Sequence, residues 1–149
     1  MITLTQRLED AADTPDNLPT LTLTCQQRTH SRLRAQLDDG RDVGVMLPRG
    51  TSLSAGDLLA ADDGQCVRVV AAAESLSVST CGDPLLFARA CYHLGNRHVP
   101  LQISDHTLAY STDHVLDEML QGLGLSVTHT QAAFEPEPGA YGGGHHHAH

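Results

Sequence analysis

The stretch Asp83-Pro84-Leu85-Leu86-Phe87-Ala88-Arg89-Ala90-Cys91-Tyr92-His93-Leu94-Gly95-Asn96-Arg97-His98-Val99-Pro100-Leu101-Gln102-Ile103 decides the fold. Aspartate followed by proline is a helix start. The carboxylate can accept from the first free amides, and proline at the first helical position loses no hydrogen bond, because that amide has no intrahelical partner. Leu86, Ala90, His93 and Leu94 recur at i, i+4, i+7 and i+8. This stripe predicts a helix to about Leu94, with Gly95 as its stop. His93, on the stripe, reads as a satisfied core or interface histidine, and Val99 to Ile103 reads as a strand.

On the N-terminal side of this segment, Leu76-Ser77-Val78-Ser79 is a short strand. On the C-terminal side Thr107 to Tyr110 is another. A second helix starts at Thr112 or Asp113, carries Leu116, Met119, Leu120 and Leu123 at helical spacing, and ends at Gly122 or Gly124. The strand Leu125 to Thr130 follows. The succession β-α-β-β-α-β over residues 75 to 130 is the ferredoxin-like plan, a four-stranded sheet with two helices on one face. Phe134 to Tyr141 contains two prolines and is extended, and Gly142 to Gly144 tether a terminus of histidines.

Before residue 73 the pattern has period two. Residues 2 to 5 and 20 to 24 read as strands, with a loop around Pro15 and Pro19 between them. Two hairpins follow, each turning on Asp-Asp-Gly (38 to 40 and 62 to 64), where glycine tolerates a positive φ. The fold class is therefore α+β. An N-terminal all-β domain (1–73) precedes a ferredoxin-like domain (74–141) and a disordered, flexible Gly/His-rich tail (142–149).

The chain carries 18 acidic against 9 basic residues, a formal charge of -9. That balance opposes binding to phosphate backbones, so no nucleic-acid partner is expected. Aromatics make up only 3%, so the cores must be built from Leu, Val and Ala, and oligomerisation would support such small cores. Cys25, Cys66, Cys81 and Cys91 show neither a C-x-x-C pair nor a disulfide framework and read as reduced thiols. No stretch has the length of a membrane span, and Met1 to Arg7 lacks the features of a signal peptide. The expected compartment is the cytoplasm.

The chemistry lies in imidazoles. His145, His146, His147 and His149 share a short glycine tether, which gives them a high effective concentration around one ion. Neutral imidazole suits nickel, copper and zinc. A purification tag imitates this composition, and the interruption by Ala148 argues against one. His98 alone is most simply a surface histidine, since one imidazole does not hold a metal tightly. On the two-fold axis of a dimer, His98 and its symmetry mate would share one ion, and tail nitrogens would fill further positions. His114 is a weaker metal candidate, Cys81 a possible auxiliary ligand, and His30, His106 and His129 read as ordinary surface residues. No nucleophile motif, H-E-x-x-H or phosphate-binding loop occurs, so no enzyme is expected. In the strand at 32 to 37, Arg32 and Arg34 share one face, with Arg28 and His30 just before them. This is a local basic ridge, either a solvated strand face or an edge that docks an acidic partner.

In Asp83-Pro84-Leu85, Ala88 to Gln102, Asp113-His114-Val115-Leu116 and Phe134-Glu135-Pro136-Glu137 with Gly139-Ala140-Tyr141, the chain resembles the UreE family of urease accessory proteins. Asp38-Asp39-Gly40-Arg41, Leu47-Pro48-Arg49-Gly50 and Gly56-Asp57 extend the resemblance into the first half. It implies a homodimeric nickel metallochaperone, with a peptide-binding-like N-terminal domain and a ferredoxin-like metal-binding domain. The family's interface histidine falls on His98, and its variable histidine-rich tail on His145 to His149. The implied cargo is Ni(II), with Zn(II) or Cu(II) able to occupy the same sites. The implied partners are the GTPase UreG and the apo-urease complex with UreD (or UreH) and UreF. His114 matches a histidine found in some relatives, while Thr112 stands where some carry another. Two rival readings are a peptide-binding module with incidental metal, and a small zinc hydrolase using His98, His114 and Asp113.

Overall fold

The computed structural model describes residues 1–9 and 16–139. The chain divides into two compact units, Met1–Ala72 and Ala73–His149. Among the described residues no helix is long and apolar enough to cross a membrane.

The first unit contains β1 (Ile2–Leu8), β2 (Thr20–Leu23), a one-turn helix α1 (Cys25–Arg28), β3 (Arg32–Gln36), β4 (Asp42–Met46), β5 (Leu58–Ala61) and β6 (Cys66–Ala71). They form one mixed sheet in the order β2-β6-β5-β1-β4-β3. The two predicted hairpins are present as the antiparallel pairs β3–β4 and β5–β6, and Gly40 and Gly64 take φ of +94° and +92° at their turns. The parallel pairings β1–β4 and β2–β6 join strands distant in sequence. Alternating apolar residues, among them Leu4, Leu21, Leu23, Val43, Val45, Val67 and Val69, fill the core. This half is not purely β. Thr24 caps α1 by accepting from the Gln27 amide, and the Gln27 side chain returns a bond to the Thr24 amide. This reciprocal cap satisfies two amides that one turn of helix would otherwise leave open. Arg28 falls in that turn and is buried, so it is withdrawn from the basic ridge it was expected to form with His30, Arg32 and Arg34.

The second unit contains β7 (Ala73–Thr80), α2 (Pro84–Asn96), β8 (Gln102–Ser104), β9 (Thr107–Ser111), α3 (His114–Leu123) and β10 (Thr128–Ala133). The sheet order is β10-β7-β9-β8, antiparallel throughout. Ala90 and Leu94 of α2, Leu116 and Leu120 of α3, and Leu108 and Tyr110 of β9 share one core. Both helix starts are as predicted. Asp83 Oδ1 accepts from the Leu85 and Leu86 amides at 3.0 and 3.3 Å, and Asp113 Oδ1 from those of Val115 and Leu116 at 2.9 and 3.2 Å.

Three expectations give way. Gly95 lies inside α2, which continues to Asn96. The strand expected from Val99 is only Gln102–Ser104, because Val99 closes the helix and Pro100 has no amide to give a ladder. The last strand is displaced from 125–130 to Thr128–Ala133, because Leu125 closes α3 through its amide to the Leu120 carbonyl.

Candidate metal centre

His98 stands at the C-terminal closure of α2 with φ of 61°. Its amide donates to the Gly95 carbonyl at 2.9 Å, and the Val99 amide donates to the Leu94 carbonyl at 3.2 Å. This paired pattern requires a left-handed residue just beyond the helix, a position usually held by glycine because a Cβ there is strained. The side chain projects from a backbone fixed by two hydrogen bonds and is exposed.

The antiparallel register collects several features at one end of the second sheet. Gln102 at the start of β8 lies opposite Ala109, Ser111 at the end of β9 lies opposite Leu76, and Ala133 at the end of β10 lies opposite Ala73. The C-terminus of α2 with His98, the N-terminus of α3 with His114, and the exit from β10 therefore share that end. Phe134, fully buried, turns the chain across it. The Glu135 amide then donates to Gln102 Oε1 at 2.9 Å and the Glu137 amide to the Leu101 carbonyl at 2.8 Å. The root of the tail is thus pinned three residues from His98. His145, His146, His147 and His149, with the predicted disorder of the tail, lie outside the described residues.

His114 opens α3 directly after its aspartate cap and is exposed. Among the described residues no three of His, Cys, Asp and Glu gather as a metal-binding group. The Cys81 thiol donates to the Asp83 carbonyl at 3.6 Å, a weak bond that turns it toward the cap of α2. All four cysteines are unbridged, and burial pushes the Cys91 thiol up.

Two histidines differ from expectation. His93, expected in the core or at an interface, is not in the core but exposed in the single chain, its ring edge-on to Tyr92 at 5.3 Å between centroids. The stripe is carried instead by Leu86, Ala90 and Leu94, with Phe87 and Cys91 alongside. His129 is not an ordinary surface residue. Its Nε2 lies 2.7 Å from Asp117 Oδ2, and the Tyr110 hydroxyl donates to Asp117 Oδ1 at 2.6 Å. Burial works to raise the Asp117 pKa, but its hydrogen bonds, led by that from Tyr110, hold the carboxylate below its ordinary range. Burial and the same bond push the Tyr110 hydroxyl far up. This chain ties α3 to β9 and β10. Sequence alone offered no signal for it beyond an aspartate on the inner face of α3.

A groove of about 650 Å³ in the first unit, lined by Thr3, Thr5, Asp42, Asp62 and Gln65 among others, offers oxygen and amide groups but no imidazole.

The fold and these side chains define a two-unit protein in which two exposed histidines, His98 and His114, stand at one end of the small second unit. A family model described as the UreE urease accessory protein N-terminal domain matches residues 3–72, and one for the C-terminal domain matches residues 74–149. A urease accessory protein UreE of Alkalilimnicola ehrlichii is 60% identical over 143 residues, covering 96% of this chain and 86% of the relative. One from an Enterobacter species is 55% identical, covering 95% and 91%. One from Citrobacter koseri is 51% identical, covering 100% and 99%. The chain belongs to the UreE family of urease accessory proteins, a family named for an accessory role and not for catalysis.

Proposed function

We propose that the protein is a nickel metallochaperone that captures Ni(II) and delivers it for assembly of the urease active site. The observation that carries this reading is His98. A side chain stands where the local backbone favours glycine, is exposed, and has no hydrogen-bonding partner for its ring among the described residues. A departure of this kind from local preference is expected at functional sites. Imidazole is the donor that nickel, zinc and copper share, so the chemistry fits the cargo without selecting among the three.

In this reading the working molecule is a homodimer in which two copies of His98 face one ion. Leu85 and Tyr92, exposed by 59% and 66% on α2, offer apolar surface to the second copy. His145, His146, His147 and His149 complete the coordination, with His114 as an auxiliary nitrogen. The anchor at Leu101 supports the role of the tail. His145 is eight residues beyond Glu137, a reach of up to roughly 26–29 Å in extended chain. Matching of the C-terminal family model as far as His149 favours a tail that belongs to the protein over an appended tag. Stepwise replacement of the tail ligands allows the ion to leave for a partner offering a better set. We assign the partners to the urease maturation machinery in the cytoplasm: the GTPase UreG and the apo-urease complex with UreD or UreH and UreF. The second unit is assigned to the ferredoxin-like plan, with residues 74–141 as the metal-binding domain, 142–149 as its tail and 1–73 as a partner-binding domain.

The test is a nickel titration of the whole chain by native mass spectrometry beside His98→Gly, which removes the imidazole while keeping the helix closure. A dimer whose first ion is held tightly only with His98 present is expected. An unchanged first ion in His98→Gly would overturn the reading.

A further inference from the structure

β3 ends the six-stranded sheet; the outward main-chain groups of Arg32, Arg34 and Gln36 make no backbone bond among the described residues, and the edge closes just beyond them, where the Asp38 amide donates to the Thr20 carbonyl at 2.9 Å. On its inner side the Leu47 amide donates to the Ser31 carbonyl and the Leu37 amide to the Arg41 carbonyl. Between them Leu33 lies opposite Val45, and Ala35 opposite Val43. Main-chain groups alternate direction along a strand, so the amides and carbonyls of Arg32, Arg34 and Gln36 point away from β4. The same three residues turn their side chains to solvent, while Leu33 and Ala35 pack against the core.

The exposed face is cationic and partly apolar at Arg32 and Arg34, and at its far end Gln36 lies opposite Asp42 and donates to its carboxylate at 3.2 Å. Arg32 lies opposite Met46, which is 47% exposed, and Arg34 lies opposite Gly44, which presents no side chain. The end of the Met1 side chain comes within 3.6 Å of where a Cβ on Gly44 would stand. In a chain with 18 acidic residues, other arginines have found carboxylates: Arg41 bonds Asp39 at 2.8 Å, and Arg7 lies 3.9 Å from Asp57. Among the described residues Arg32 and Arg34 have none. Charge on an edge strand discourages aggregation, and here it also selects. A second copy adding through its own β3 would set arginine against arginine, which is unfavourable across strands.

We propose that the β3 edge accepts, as an added strand, an extended segment of a partner protein with acidic residues at alternate positions and apolar residues between them. The added strand would bond to the free main-chain groups of Arg32, Arg34 and Gln36. Its acidic side chains would meet the two guanidinium groups on the outer face. Its apolar side chains would extend the row of Leu33 and Ala35. About five residues suffice, matching the length of β3. This docking surface is independent of the histidines.

The test uses the full ¹⁵N-labelled chain and a short synthetic peptide of alternating glutamate and valine. The expected result is saturable shifts at the amides of Arg32, Arg34 and Gln36, with slowed hydrogen exchange there. The double variant Arg32→Glu/Arg34→Glu should weaken binding by about tenfold or more. Arg34→Pro should abolish it while leaving the β3–β4 ladder intact, because the lost amide faces outward. A peptide with lysine for glutamate should not bind. The proposal is overturned if the lysine peptide binds equally, if shifts fall elsewhere, or if the variants bind as the parent does. It is also overturned if the β3 amides shift with protein concentration alone, which would make a second copy the occupant.

Discussion

His98 and Gly124 occupy equivalent positions at the ends of the two helices of the second unit. The Gly124 amide donates to the Gln121 carbonyl and the Leu125 amide to the Leu120 carbonyl, both at 3.0 Å. That pattern is the one made by His98 and Val99 on Gly95 and Leu94. Both residues are left-handed, with φ of 61° at His98 and 108° at Gly124. One helix thus ends on the residue that local physics prefers and the other on an imidazole. His98→Gly is expected to stabilise the second unit by up to about 1 kcal/mol, and Gly124→His to destabilise it by about 1–2 kcal/mol. A Cβ on Gly124 meets only Leu86 Cδ2, at 3.8 Å, so the cost is that of the backbone and not of a clash. All three tyrosines, Tyr92, Tyr110 and Tyr141, lie in this unit. Urea unfolding followed by tyrosine fluorescence therefore reads it separately from the first unit.

The starts of the two long helices were legible in the sequence, as was the close of α3 at Gly124, whereas the close of α2 was not. Asp83 and Asp113 act through short-range bonds to amides two and three residues ahead, which spacing reveals. At the far end of α2 Gly95 looked like a stop, yet the left-handed position falls on His98, and spacing does not reveal backbone conformation. The short helix at Cys25 was readable from Thr24 and Gln27 as a capping pair. The parallel pairings β1–β4 and β2–β6 depend on which distant strands share a core, and local alternation is silent on that. Of the candidate site, the residue types were legible. Their collection at one end of the sheet was not, because it follows from the register of four strands and from the anchor at Leu101.

Asp117 makes the second unit sensitive to acid. Its carboxylate is held below its ordinary range by the hydrogen bonds of Tyr110 and His129. The stabilisation is fully present above the unfolded value of about 3.9 and is lost as pH falls through the lower folded value. Asp117→Asn should cost roughly 1.5–3 kcal/mol near neutral pH and flatten the dependence of stability on pH below about 5. Tyr110→Phe, which removes one donor from a buried charge, should cost about as much. Urea melts between pH 3 and 7 test both, and a parent-like acid slope in Asp117→Asn would assign that slope to other carboxylates.

Phe134 links the stability of the second unit to the placing of the tail. It is 2% exposed, so Phe134→Ala should destabilise the unit by about 3–5 kcal/mol through lost burial and a cavity. It should also loosen the segment that carries the Glu135 and Glu137 bonds. In nickel titration calorimetry under conditions where the variant remains folded, the first site should weaken toward that of a chain truncated after Gly139, with His98 intact in both. Unchanged affinity beside a lowered melting temperature would separate the anchor from metal binding.

Tyr92 tests the dimer apart from the metal. It lies on α2 six residues before His98 with 66% of its surface exposed, and Leu85 lies two turns earlier on the same side of the helix. Burying two such side chains against a second copy contributes roughly 1.5–3 kcal/mol each. Tyr92→Glu would instead bury a carboxylate without a built partner, which costs several kcal/mol. Sedimentation velocity at micromolar concentration should find the parent dimeric and Tyr92→Glu monomeric, with the fold retained because the position is exposed in the single chain. In that variant each His98 stands alone, so tight nickel binding should fall to the level of the tail while total nickel capacity per chain changes little. A Tyr92→Glu protein that stays dimeric would move the interface off α2. A monomer that keeps its tight site would show that one copy of His98, with the tail rooted beside it at Leu101, is sufficient.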